Sequence, residues 1–187
     1  MENDIWLSAD HHFGHANILG YTGRKQENVW EMNKVLTDNW NALVKPGDTV
    51  YYLGDFSFES DRYKQYLNGN KFYLIKGNHD KPKFNYLFNE VVSSMELKIG
   101  EFNCLLTHIP IELDRIYKKG TQPDFSALDR YSYILHGHVH TAFVVKGKNI
   151  NVGCDVWDYK PINIKDLEKF LRKVKMENIQ YLEKNNF

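Results

Sequence analysis

The sequence predicts a mixed-sheet α/β layered domain, and three observations carry the prediction. Strand-like and helix-like stretches alternate through the first half, the pattern of strand–helix crossovers. Later apolar runs pair around Gly100-Glu101 and Gly147-Lys148, which reads as hairpins and therefore as antiparallel pairing added to parallel strands. No repeat, low-complexity tract or linker interrupts the 187 residues, a length that fits one domain over 1–187.

Residues 5–9 are apolar and form a first strand that ends at Asp10. Residues 11–21 contain Gly14 and Gly20, show no clean period and read as a loop. Asn28 opens a helix, with Glu31 completing a capping-box-like pair. Val29, Met32, Leu36, Trp40 and Leu43 recur on its buried face. Lys45-Pro46-Gly47-Asp48 is a turn, with Pro and Gly where a type II turn takes them. Residues 49–53 are a second strand running into Gly54-Asp55, and 61–67 a short helix ending at Asn68-Gly69. Residues 71–75 are a third strand running into Gly77-Asn78-His79-Asp80. Pro82 interrupts the chain there, and 84–88 give one or two helical turns. Residues 91–99 and 102–106 form a hairpin whose second arm ends at Thr107-His108. Residues 109–130 hold Pro110, Gly120, Pro123, Arg115, Lys118, Lys119 and Arg130 and read as a surface excursion or lid. Residues 131–135 are a buried strand that delivers His136-Gly137-His138-Val139-His140. Residues 142–146 and 149–152 form another hairpin, and Asn163 caps a final helix with Ile164, Leu167, Phe170, Leu171, Val174 and Ile179 on one face.

Composition narrows the function classes. Hydrophobic residues at 42% and charged residues at 26% are ordinary for a globular protein. Zero formal net charge argues against a phosphate-tracking groove for long nucleic acid, so strong binding of long nucleic acid is not expected. Cys104 and Cys154 lack CxxC spacing and sit in apolar contexts, as buried thiols of a reducing compartment do. The start, Met1-Glu2-Asn3-Asp4, is polar and unlike a signal peptide, and no apolar run approaches the ~18 residues of a membrane span. A cytoplasmic protein without membrane attachment is the expectation.

In open α/β sheets ligands bind beyond the carboxyl ends of strands. Five predicted strands end in Asp10 with His12, Asp55, Asn78 with His79, His108, and His138 with His140. On an extended segment His138 and His140 point to one side, and Gly137 lets backbone approach what they hold. These carboxylates, amide oxygen and imidazoles exceed one tetrahedral zinc. They suit two divalent cations ~3.5–4 Å apart, with one carboxylate bridging. The donor set, without thiolates, suits borderline-to-hard metals such as manganese, iron, nickel, cobalt or zinc, and manganese is the one expected. Cations so placed lower the pKa of bound water from ~15.7 towards ~7, making a bridging hydroxide the nucleophile, and clamp phosphate oxygens. His79 stands beside the ligand Asn78 and is placed to protonate a leaving alkoxide, with Asp80 able to orient its ring.

The ordered blocks Asp10-x-His12, Gly54-Asp55, Gly77-Asn78-His79-Asp80, His108 and Gly137-His138-x-His140 resemble the signature of the calcineurin-like metallophosphoesterase superfamily. Residues 8–18 and 151–161 are similar to a small bacterial and phage branch of it. The resemblance implies a four-layer α/β/β/α sandwich of two mixed sheets flanked by helices. It assigns Asp10, His12, Asp55 and His140 to one cation and Asp55, Asn78, His108 and His138 to the other, with Asp55 shared. It gives His79 the role of leaving-group acid or transition-state stabiliser. It implies a phosphoesterase acting on a small phosphorylated substrate, a diester such as a nucleotide. The alternatives are a phosphomonoesterase or nucleotidase, a nuclease on single strands, and a non-catalytic scaffold of the same fold.

Each residue also has a plainer role. Asp10 and Asp55 could be turn residues and His108 a satisfied strand-end polar group; the ordered set favours ligation. His15 and Asn17 lie where, with Asn78, they would contact the substrate. The spacing selects His12 and leaves His11 unassigned; His136 reads as a hydrogen-bonded strand residue. Asp155 and Trp157 either line the pocket or close the domain, with closure preferred, and Tyr21, Phe56, Phe58 and Trp157 read as core before base-stacking groups.

Overall fold

The computed structural model describes residues 3–111 and 129–186. In chain order the first strands and helices are β1 (Ile5–Ser8), α1 (Ile18–Thr22), α2 (Val29–Leu43), β2 (Thr49–Tyr52), α3 (Ser60–Lys64), β3 (Lys71–Ile75) and β4 (Glu90–Val92). They are followed by β5 (Ser94–Ile99), β6 (Phe102–Thr107), β7 (Tyr133–His136), β8 (Val145–Lys146), β9 (Asn149–Asn151), β10 (Ile162–Asn163), α4 (Ile164–Met176) and β11 (Tyr181–Leu182).

The strands form two mixed sheets. The first has the order β10-β1-β2-β3-β4, parallel apart from β10, and the second the order β11-β8-β9-β7-β6-β5. Strand alternation explains how the first sheet is buried on both faces. Leu7, Leu53 and Ile75 face the second sheet, while Trp6, Val50, Tyr52, Phe72 and Leu74 face helix α2. From the second sheet, Leu106, Leu135, Val145 and Ile150 complete the inter-sheet core, and Leu167, Leu171 and Val174 of α4 join it. Helix α2 presents Met32, Leu36 and the fully buried Trp40, whose Nε1 donates to the Asn68 carbonyl at 2.8 Å. On the far face of the second sheet, Leu105, Tyr131 and Ile134 cluster with Ile111. The expected excursion over 109–130 lies mostly outside the described residues. No described helix is long and apolar enough to cross a membrane.

Helix α2 starts where its cap signal lies. Asn28 Oδ1 accepts from the amides of Trp30 and Glu31, both at 3.0 Å, a cap worth about 1 kcal/mol. The Glu31 carboxylate accepts from Glu27 N instead of closing the reciprocal half of a capping box. Other expectations are corrected. The run over 91–99 is not one hairpin arm: β4 pairs with β3 in the first sheet, and β5 pairs with β6 in the second. The local pattern of a half-buried strand is the same in either sheet, so the switch between them leaves no periodic mark. The turn at 45–48 is not type II, because Gly47 does not take a positive φ. The Asp48 carboxylate closes it by accepting from the amides of Lys45 and Asp4 and from Trp6 Nε1. Within the expected loop over 11–21, α1 begins at Ile18; five residues are too few to show a period. Strands β10 and β11, two residues each, are too short for the same reason. Ile179 lies past the end of α4, though it still packs on the core.

Candidate metal centre

The strand ends of both sheets converge, and the loops beyond them are tied to each other. Asp10 N donates to the Gly54 carbonyl at 3.0 Å and His12 N to the Asp55 carbonyl at 3.1 Å, extending the β1–β2 pairing into the loops. Gly137 N donates to the His108 carbonyl, and His138 N donates to Asp10 Oδ2 at 2.8 Å, which joins the two sheets. Close approach explains two glycines. A Cβ at Gly54, which has φ +89°, would lie 2.6 Å from Gly77 N and from His108 Nδ1. One at Gly137 would lie 2.6 Å from Asp10 Oδ2, so this glycine makes room for the Asp10 carboxylate.

Two donor groups result: Asp10, His12 and His140, and Asp55, His108 and His138, each with its ligand atoms within 4.8 Å of one another. Asp55 Oδ2 lies between them, 3.5 Å from His12 Nε2 and 3.3 Å from His108 Nε2. Asn78 Oδ1 completes the second group, 2.9 Å from His108 Nε2 and 3.1 Å from His138 Nδ1. Asp10, His12, Asp55, His138 and His140 all have left-handed backbone, with φ between 49° and 70°. Such conformations cost ~1–3 kcal/mol each and persist where the surroundings over-determine them, as the cross-tied loops do here.

The residues fit divalent cations. Asp10 Oδ1 and His12 Nε2 are buried without a hydrogen-bond partner among the described residues, a costly arrangement unless something else meets them. Burial pushes Asp10 up to about 6, although His108 and His140 oppose it. Burial also acts to raise Asp55, but His108 and His12 hold it below the usual carboxylate range. Burial lowers His12 to about 3 and His138 to about 4, so both imidazoles present lone pairs at neutral pH. His108 goes the other way: burial disfavours its charge, but Asp55 and Asp10 raise it to about 9. Both carboxylates draw positive charge to this position, a role that a bound cation would take over.

The remaining predicted residues divide. His79 is exposed at the rim, its amide donating to Asp55 Oδ1 at 2.8 Å and its Nε2 4.0 Å from Asp55 Oδ2. Asp80 does not orient that ring. Its carboxylate accepts the amides of Asp55, Phe56 and Gly77, between 2.8 and 3.0 Å, and so clamps the second ligand loop to the third. His15 is half-buried, its ring centroid 5.7 Å from that of His12 and 4.9 Å from that of Phe58. Asn17 is exposed ahead of α1, its carbonyl accepting from Tyr21 N. His11 turns to the α2 side, stacking on Phe13, edging Trp40 and bonding the Tyr52 hydroxyl. His136 is buried, and its Nδ1 donates to the Gly137 carbonyl at 2.8 Å. Phe56 is buried in the α2-side core, Phe58 lies between His15 and His79, and Tyr21 is exposed.

Trp157 does close the domain, its ring 5.4 Å from Phe170. Asp155 does more than close it: Oδ2 accepts from His140 Nδ1 at 2.8 Å and from Arg24 at 3.0 Å. Nothing in the sequence singles out Arg24. A lone arginine in a loop carries no local mark, and its partner lies 131 positions away.

The chain matches the model of the calcineurin-like phosphoesterase superfamily domain over residues 5–156. It is 35% identical over 185 residues to the uncharacterized protein MJ1445 of Methanocaldococcus jannaschii, covering 92% of this chain and 93% of the relative. It is 24% identical to the Gene 66 protein of Mycobacterium phage L5, covering 83% and 88%. Among solved structures, it is similar to the protein of unknown function AQ665 from Aquifex aeolicus, with TM-score 0.67 and 25% identity over 90% of this chain and 100% of that one.

Proposed function

The chain belongs to the calcineurin-like phosphoesterase superfamily, whose members use divalent metals, and on that premise we propose that it hydrolyses a small phosphodiester, such as a nucleotide, at a dinuclear centre. The observation that carries the reading is Asp55 Oδ2, 3.5 Å from His12 Nε2 and 3.3 Å from His108 Nε2, within reach of both donor groups. Asp10, His12, Asp55 and His140 would hold one cation, and Asp55, Asn78, His108 and His138 the other. Manganese, iron, nickel, cobalt and zinc all suit this oxygen and nitrogen set, and manganese is the cation proposed. Bound there, the cations supply Lewis acidity towards water and phosphate.

The chain's own groups do the rest. The buried ligands Asp10, His12, Asp55 and His108 form the floor, and the exposed Asn78 and His79 form the rim on the solvent side. Substrate approaches from that rim. His79 delivers a proton to the leaving alkoxide, and His15, beside His12, steadies a non-bridging oxygen. A diester suits the local charge. The Arg24 guanidinium is spent on Asp155 and on the Asp10 and His11 carbonyls, so it offers little to the second negative charge of a monoester.

Manganese-loaded protein assayed on paired chromogenic diester and monoester substrates tests this. Diester turnover is the expected result; monoester turnover with none on the diester would overturn the substrate reading.

A further inference from the structure

The cluster around Arg24 is built with more care than a domain closure needs. Arg24 is buried, and its guanidinium is fully engaged. Nε donates to Asp155 Oδ1 at 2.8 Å, and NH2 to Asp155 Oδ2 at 3.0 Å and to the Asp10 carbonyl at 2.6 Å. NH1 donates to the His11 carbonyl at 2.7 Å. Asp155 is itself buried, and it passes the contact on to His140 Nδ1 at 2.8 Å. The same closing segment holds the His140 backbone, because Asn151 Nδ2 donates to its carbonyl at 2.7 Å. It also reaches the first ligand loop, Cys154 N donating to the Ala9 carbonyl at 2.9 Å.

Chemistry then decides the state of His140. A carboxylate paired with a guanidinium can only accept hydrogen bonds, so Nδ1 of a neutral His140 must carry the proton. Nε2 keeps its lone pair for the group shared with Asp10 and His12. We propose that Asp155, held by Arg24, is a positioning residue that fixes the tautomer and direction of His140 and so strengthens cation binding by Asp10, His12 and His140. This rests on the dinuclear reading above. In the other group the outer partner is a neutral main-chain carbonyl: His108 Nδ1 lies 2.8 Å from that of Leu53. Carboxylate partners of ligand histidines raise ligand basicity, and losing one costs ~10- to 100-fold in affinity. Arginine is needed because only its planar fork spans the carboxylate and two carbonyls at once.

The test is a two-site Mn2+ titration of the full chain, comparing wild type, Asp155→Asn and Arg24→Lys. Asp155→Asn is expected to weaken one site ~10- to 100-fold and leave the other unchanged. Arg24→Lys is expected to weaken the same site. Unchanged affinities, or equal loss at both sites, would overturn the proposal. Nitrogen-15 NMR of metal-free wild type at alkaline pH needs no variant. It should find His140 protonated at Nδ1, and an Nε2–H tautomer would equally overturn the proposal. Wild type that takes up no manganese would instead overturn the dinuclear reading, while the tautomer still reports on Asp155.

Discussion

The two candidate donor groups follow one geometric rule and differ in what stands behind them. Both include strand-end residues in left-handed backbone, Asp10, His12 and His140 in one and Asp55 and His138 in the other. Behind His140 stands an ion pair, Asp155 with Arg24; behind His108 stands a main-chain carbonyl. Equivalent donors therefore need not make equivalent sites, because outer partners set how basic and how rigid each imidazole is. A like contrast runs through the histidines that ligate nothing. His11 and His136 share the same loops but turn into the protein, His11 against Phe13 and Trp40 and His136 against Phe143.

Removing what the two groups share should do the most damage. Asp55→Ala should loosen both cation sites and cut turnover by more than the ~10²- to 10⁴-fold worth of a general acid. Metal analysis alongside kinetics checks this, and a variant that keeps one tight site would show that Asp55 is not shared. A smaller effect separates chemistry from ligation. His79→Ala should retain both cations yet lose ~10²- to 10⁴-fold on substrates with poor leaving groups, and far less on a nitrophenyl ester. Equal loss on both would count against proton donation.

The mildest effect concerns stability, and it sets the non-ligating histidines against the ligands. Burial first, and for His11 the nearby Arg24 charge, lowers His11 and His136 to about 3, below the unfolded value near ~6.5. A depressed histidine pKa favours the fold above the unfolded value, and that stability is lost as pH falls towards the folded one. Metal-free protein should therefore weaken on acidification from about pH 6.5 towards 3, by ~1.4 kcal/mol per pH unit for each such group. Denaturant titration across this range measures the slope. His136→Asn should flatten it, and an unchanged slope would show that His136 charges without cost.

What is local or ordered along the chain was legible in the residues alone. Short apolar runs mark β1, β2 and β3, Asn28 marks the start of α2, and strand-end positions mark Asp10, His12, Asp55, Asn78, His108, His138 and His140 as the donors that the fold gathers. Such signals survive because period, cap and strand end are each written within a few residues. Other features needed the packed chain. Packing sent β4 and β5 to different sheets, turned Asp80 from a partner of His79 into a clamp on three amides, and pointed His11 away from the site that His12 enters. It also carried Arg24 to Asp155, and Asp155 to His140. The physical reason is common to all of these. A side chain's partner is set by which face and which distant loop the packed chain brings to it, and neither is encoded in the residues beside it.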